Sequence, residues 1–251
     1  MHRLFFTADD FGLTEGVCTG IVEARRSGVL ARTSAMACVP GSLDRVRLWA
    51  PQFPGPIGAH LQLTDGHPCA DPSRVPTLVD QQGAFRGRKS TPPESFNPRE
   101  VEVEWRAQIE ALRGAGIAVT HIDTHHHLHR HEEISGIYLD LAREYNLAAR
   151  TGPGKSRALR KAGIQCADYC ETRFFSEDPS IESLLHLVLL AKSKVPAGGL
   201  IEVVCHPGRA SPELEARSTY VAQREKELEI LTRPDLRGRL SRVSIELVDG
   251  E

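Results

Sequence analysis

The sequence predicts an α/β fold built as a (β/α) barrel of mostly parallel strands, and three observations point there. An apolar strand followed by an amphipathic helix recurs at least five times along the 251 residues, the alternation expected of parallel strands joined by crossover helices. Clusters of Asp and His stand at the C-terminal ends of these strands, which in a barrel all ring one mouth. A doubly wound open sheet would gather its site at one switch point, usually with a Gly-rich phosphate loop; neither G-x-G-x-x-G nor G-x-x-x-x-G-K-[ST] occurs. One domain over 1–251 suffices, because barrels of about 250 residues are routine.

Each element has a local reason. Residues 4–8 read as a buried strand ending at Asp9, Asp10 and Gly12. Thr14 caps a helix over Glu15–Ser27, and Gly28 stops it. Residues 33–39 form a second strand closed by Pro40 and Gly41, and Ser42 caps a helix to about Ala50. A Pro-rich linker leads to a third strand at 57–63. Segment 64–98, rich in Pro, Gly and Asp, is too long for an idle connection and reads as a functional loop or small subdomain. Asn97 or Pro98 opens a helix over 99–113, with Val101, Trp105, Ile109 and Leu112 on one stripe. A strand at 119–123 runs into His125, His126 and His127, followed by a helix at 132–145 and a short strand at 147–150. Segment 152–178 shows no readable pattern. An apolar helix at 181–195, a buried strand Leu200–Cys205, a long polar helix at 213–232 and a last strand at 243–247 complete the chain.

Composition excludes several classes. Lys+Arg 31 against Asp+Glu 33 gives a net charge of -2, without the basic excess that nucleic acid or an anionic membrane demands. No apolar run reaches the roughly 20 residues needed to cross a bilayer. Asp9 interrupts the N-terminal apolar stretch before a signal-peptide core develops. The 6 cysteines are scattered without a C-x-x-C pair, so neither a disulfide framework nor a zinc knuckle is expected, and a cytoplasmic, reduced-thiol protein is the default.

The 11 histidines bunch. In the run His121 to His131, strand alternation puts His121, Asp123 and His125 on one face, and a carboxylate beside imidazoles suits a divalent metal. A solvated His-rich loop is the plain alternative. Asp9 and Asp10 are adjacent carboxylates that repel; a metal on one relieves the repulsion and leaves the other as a base. A helix cap is the competing role, which Thr14 fills better. His60 lies mid-strand beside Gly58 and Ala59; alone, such a histidine is more often a satisfied core residue. Glu202, Val204 and His206 share a strand face, and Pro207 and Gly208 fix His206 at the mouth, where an imidazole can hold or give a proton. Glu202 lies deeper, placed to pair with a basic residue. Cys205 faces away from His206, and no G-x-S-x-G elbow occurs.

The segments Thr7-Ala-Asp-Asp-Phe-Gly-Leu13, Gly58-Ala-His60, Thr120-His-Ile-Asp-Thr-His-His-His-Leu-His129 and Glu202-Val-Val-Cys-His-Pro207 together resemble the YdjC-like carbohydrate deacetylases, which include chitooligosaccharide deacetylases. The resemblance runs from end to end and implies a distorted TIM-like (β/α) barrel of the glycoside hydrolase/deacetylase type. It implies one divalent metal ion at the mouth, held by Asp10, His60 and His125, with Asp9 as base and His206 as an acid that enters protonated. Asp123 would orient a ligand histidine, while His127 and Arg150 would meet sugar hydroxyls or steady the oxyanion. Family members point to Mg2+, whereas two imidazoles and one carboxylate suit Zn2+, manganese or iron better. The implied partner is an N-acetylated sugar; a homodimer stays open. Segment 64–98 departs from the family pattern, so the identity of the sugar does not transfer. The alternatives are another single-metal barrel hydrolase, such as a phosphoesterase or amidohydrolase, and a non-catalytic carbohydrate-binding relative.

Overall fold

The computed structural model describes residues 1–87, 92 and 95–249. Its centre is one eight-stranded sheet in which every ladder is parallel. In chain order the elements are β1 (His2–Phe11), α1 (Glu15–Ser27), β2 (Leu30–Ala35), α2 (Ser42–Trp49), β3 (Ile57–Leu61), α3 (Pro98–Gly114), β4 (Val119–Thr124), α4 (Glu132–Glu144) and β5 (Ala148–Ala149). Then follow α5 (Ser156–Lys161), β6 (Tyr169–Glu171), α6 (Ile181–Lys192), β7 (Leu200–Cys205), α7 (Pro212–Glu215), α8 (Ala222–Leu231), α9 (Leu236–Arg242) and β8 (Ile245–Leu247).

The strand order β5-β4-β3-β2-β1-β7-β6 curls the sheet into an incomplete barrel. Among the described residues no ladder joins β5 to β6; the nearest link is Ala149 N–H donating to the Gln165 carbonyl at 2.9 Å. β8 does not stand between β7 and β1, as it would in a regular eightfold barrel. β7 covers one edge of β1, and β8 pairs with His2–Leu4 on the other edge, below β2. This displacement and the open seam are what distort the barrel.

Strand alternation divides the interior. Leu4, Phe6 and Ala8 of β1 pack outward into the main core with the helices, where Val17, Ile21 and Ala24 of α1 meet them. The alternate residue Phe5 joins Ala31 and Ala167 in a small apolar cluster of its own. Above that cluster the alternate positions are polar and buried: Thr7, Asp9, Arg32, Ser34, His60, Asp123, Arg150 and Glu202. Burying charges is costly unless they are paired, and here they pair with one another.

Several boundaries differ from the sequence reading. The helix read at 213–232 breaks into α7 and α8, because Ser218 and Tyr220 form their own turn, with Tyr220 N–H donating to Ser218 Oγ at 3.1 Å. Strand β2 begins at Leu30 and ends at Ala35 rather than spanning 33–39, and Gly41, in a left-handed conformation, takes the cap position assigned to Ser42. The unread segment 152–178 holds α5 and β6. Within the 64–98 segment, residues 88–91, 93 and 94 lie outside the described residues. The rest is a docked loop. Glu104 accepts N–H groups of Cys69 and Ala70 at 3.0 and 2.9 Å, and Glu100 accepts Thr77 N–H at 2.8 Å. No described helix is long and apolar enough to cross a membrane.

Candidate active site

Two adjacent strand residues ought to face opposite sides, yet Asp9 and Asp10 both reach the mouth. A bulge explains this: between the pairs Ala8↔Thr33 and Phe11↔Ala35, β1 advances three residues while β2 advances two. Asp10 absorbs the extra residue in a left-handed conformation, φ 69. That conformation is costly for a residue with a Cβ, though Asp tolerates it better than most.

The bulge aims Asp10 Oδ1 at two imidazoles. His60 Nε2 stands 3.4 Å from it and His125 Nδ1 3.3 Å, and the two nitrogens are 3.3 Å apart. The three atoms form a nearly equilateral triangle. Asp10 Oδ1 is buried and no hydrogen bond reaches it, an unmet acceptor that calls for a cation. Donors about 2.0–2.1 Å from a tetrahedral ion lie roughly 3.3–3.4 Å from one another, so these residues fit a divalent ion. Backbone strain continues on the far side: His126 and His127, directly after His125, have φ of 55 and 54. One of the three donors, Asp10, is itself strained, and another, His125, is followed by two strained residues, a pattern associated with functional sites.

The partners behind the triangle set its charge. His60 Nδ1 is 2.6 Å from Asp123 Oδ1, through the β3–β4 register that places His60 beside Asp123. A proton on Nδ1 shared with that carboxylate leaves the Nε2 lone pair facing the triangle. Burial alone would lower His60, but the charges of Asp9 and Asp123 outweigh it and raise the ring to about 10. Without an ion, the surplus carboxylate charge is met by a proton. Asp10 is buried too, and the Arg224 guanidinium, with the two imidazoles, holds it well below the usual carboxylate range. Arg224 Nη2 donates to Asp10 Oδ2 at 2.7 Å.

Asp9 sits between the triangle and His206. Its Oδ2 is 4.0 Å from His60 Nε2 and 4.0 Å from His206 Nε2. Burial raises the carboxyl, but Arg150, followed by His60, holds it far below its ordinary value. Arg150 Nη1 and Nη2 donate to the two Asp9 oxygens at 2.8 and 2.7 Å, Nη2 also stands 2.8 Å from Asp123 Oδ2, and Nε donates to Glu202 Oε1 at 3.0 Å. At 1% exposure and committed to three carboxylates, Arg150 holds Asp9 from behind, and so buried a group is not placed for either contact expected from the sequence, a sugar hydroxyl or an oxyanion. Glu202 pairs with Arg150 and, at 3.3 Å, with Arg32.

His206 lies at the end of β7 with its side chain 14% exposed. Burial lowers the ring to about 4, against the charges of Asp10 and Asp9, so it is neutral near pH 7 rather than protonated on entry. His127 is half-buried and neutral as well, brought to about 3 by burial and Arg150. His121 lies deeper, beside Gly58, two residues below Asp123 on the same strand face, so alternation put it on the right face but below the donors.

Sequence reasoning missed the contribution of α8. Arg224 holds Asp10, and Glu227, raised to about 7 by burial, accepts the His206 backbone N–H. Tyr220 O–H donates to the same Glu227. The only signal available was Arg224 and Glu227 three residues apart on one helix face, with Leu228 and Leu231 beside them. A second cluster of ligand-type residues, Cys38, Cys69 and Glu104, is already satisfied: the Glu104 carboxylate accepts from Cys69, Ala70, Gln108 and Cys38 and serves to dock the loop.

A carbohydrate deacetylase of Thermoanaerobacter pseudethanolicus is 32% identical over 94% of this chain and 93% of its own length. A carbohydrate deacetylase of Vibrio cholerae is 34% identical over 98% of this chain and 94% of its own. Among solved structures, a protein of Enterococcus faecalis provisionally described as a cellobiose-phosphate cleavage protein superposes with a TM-score of 0.87 at 31% identity, covering 98% of this chain and 97% of that one. Residues 3–242 match the sequence model of the YdjC-like proteins, and the chain belongs to that family.

Proposed function

We propose that the chain is a single-domain, metal-dependent carbohydrate deacetylase that hydrolyses the acetamide of an N-acetylated sugar to acetate and an amino sugar. The observation that carries this reading is the triangle of Asp10 Oδ1, His60 Nε2 and His125 Nδ1, with Asp9 and His206 on its open side. Relatives named carbohydrate deacetylase support the substrate class. The donor set and triangle size favour Zn2+ or another transition ion over Mg2+. When bound there, such an ion would polarise the amide carbonyl and acidify water.

The chain's own residues do the rest. Arg150 fixes both oxygens of Asp9 and keeps it ionised, so Asp9 accepts the proton of the attacking water. Asp123 locks the tautomer of His60, and Arg224 holds the second oxygen of Asp10. The departing amine needs a proton. His206, neutral in the free protein, gains one inside the site, where Asp9 Oδ2 is the nearby carboxylate, and donates it to the nitrogen as the C–N bond breaks.

The test is acetate release from N-acetylated disaccharides by the protein supplied with divalent ions. Asp9→Asn and His206→Asn should each lower kcat by about 10²–10⁴ while the ion stays bound. Cleavage of a phosphorylated disaccharide without acetate, or full activity in both variants, contradicts the reading.

A further inference from the structure

Phe175 is among the few large apolar side chains left exposed, at 51%, and it stands at the site rather than on a remote face. Its ring stacks on Tyr220 with centroids 4.0 Å apart and planes 23° apart, and meets His206 edge-on at 5.1 Å. Tyr220 is not free to move away, because its hydroxyl donates to buried Glu227, which also accepts the His206 backbone N–H. The result is a two-ring aromatic wall, fixed on its inner side and open on its outer side, next to the proposed proton donor.

Leaving a phenyl ring half in water has no benefit for folding here, since its inner face is already packed. A pyranose presents axial C–H bonds on one face and hydroxyls around its rim. The C–H face stacks on an aromatic ring, whose electron-rich face attracts the slightly positive hydrogens, while the rim stays hydrated. The leaving nitrogen must come within hydrogen-bond reach of His206. The sugar that carries it, or the next sugar along, therefore lies over whatever ring adjoins His206.

We propose that Phe175, backed by Tyr220, is a pyranose-binding platform that seats the sugar ring adjoining the scissile acetamide. This rests on the deacetylase reading for the position of the nitrogen, but not for the binding itself. Phe175 is a substrate-binding residue with no part in proton transfer.

The platform is tested by two measurements on the intact protein, with N-acetylated disaccharide as the probe. The first is saturation-transfer NMR with affinity titration, which needs no turnover; the second is steady-state acetate release. Phe175→Leu keeps bulk but removes the π face, Phe175→Ala removes both, and Phe175→Trp restores a ring. The first two should raise Kd and KM about ten-fold while kcat falls less than three-fold, and Phe175→Trp should recover most of the affinity. Transfer to the pyranose C–H protons should weaken in the Leu and Ala variants. If the disaccharide binds in a Phe175-dependent way but no acetate appears, the platform stands and the deacetylase reading fails. If acetate is released and Phe175→Leu leaves Kd and KM unmoved, the platform fails and the deacetylase reading stands. A fall in kcat with KM unchanged also overturns it, showing that the ring only props His206. Absence of disaccharide binding by the unaltered protein overturns both.

Discussion

At the scale of single residues, the site is a set of buried charges that hold one another in place. Arg150 is the keystone: with its guanidinium fully buried, it pairs with Asp9, Asp123 and Glu202 at once, while Arg32 and His60 share the remaining carboxylate charge. Removing one partner of a buried ion pair leaves uncompensated charge and costs about 3–5 kcal/mol. Arg150→Met should therefore lower stability by about that much in urea unfolding and abolish activity. Arg150→Lys should recover little, because an ammonium cannot grip both Asp9 oxygens at once. A stability change under 1 kcal/mol would show that the network is not held by this residue. Sequence motifs singled out Asp9, Asp10, His125 and His206 because their chemistry is unusual at strand ends, whereas His60, unremarkable alone, entered only through the family resemblance. They could not show how Asp9 and Asp10 share a mouth, since the bulge at Asp10 depends on pairing with β2. Nor could they reveal Arg224, because a charged residue in a polar helix looks solvated until the helix is placed.

At the scale of elements, α1 was legible because both its termini are chemically marked. Thr14 caps α1 by accepting Val17 N–H, and Gly28 follows its last residue. The reading failed where elements are short: β6 has three residues and α7 four, too few for a period to register. α1 also has a role in the site that its sequence conceals. Gly16 and Gly20 lie one turn apart and face the segment after His206; a Cβ on Gly20 would stand 2.5 Å from Gly208 Cα, and one on Gly16 2.4 Å from the Arg209 carbonyl oxygen. Both neighbours are backbone, so neither yields cheaply. Gly20→Ala should push α1 away from the 206–209 segment, lower stability by about 1–3 kcal/mol and reduce kcat more than it raises KM, since His206 is displaced. An enzyme with unchanged kcat would show that the close approach does not position His206.

At the scale of the whole molecule, the polar interior makes the fold sensitive to acid. His121 and His129 are buried and held neutral well below 6.5, while His127 and His206 are held to about 3 and 4. The unfolded chain takes up these protons near 6.5 and the folded chain does not, so stability is lost as pH falls from about 6.5 toward 4. Glu227, raised to about 7, works in the opposite direction between about 4.5 and 7, and Glu104 likewise; together they offset only part of four histidines. His60, raised to about 10, loses its contribution only as pH rises above 6.5. For chelator-treated protein, the urea midpoint should be lower at pH 5 than at pH 7, and His129→Gln should narrow the gap. A midpoint equal at both pH values contradicts this balance. Parallel strands were legible from the strand–helix alternation, and the barrel from the polar clusters at strand ends and the missing Gly-rich phosphate loop. The barrel's open seam and the shifted β8 were not, because they depend on which distant strands pair, and no local pattern encodes that.

The proposed hydrolysis requires that Asp10, His60 and His125 hold one ion. Anomalous diffraction from a crystal soaked in Zn2+ or Mn2+, collected on either side of the metal edge, tests it most directly. One peak within about 2.0–2.3 Å of all three donor atoms is expected. A peak at Cys38, Cys69 and Glu104 instead, or no peak beside Asp10, contradicts it.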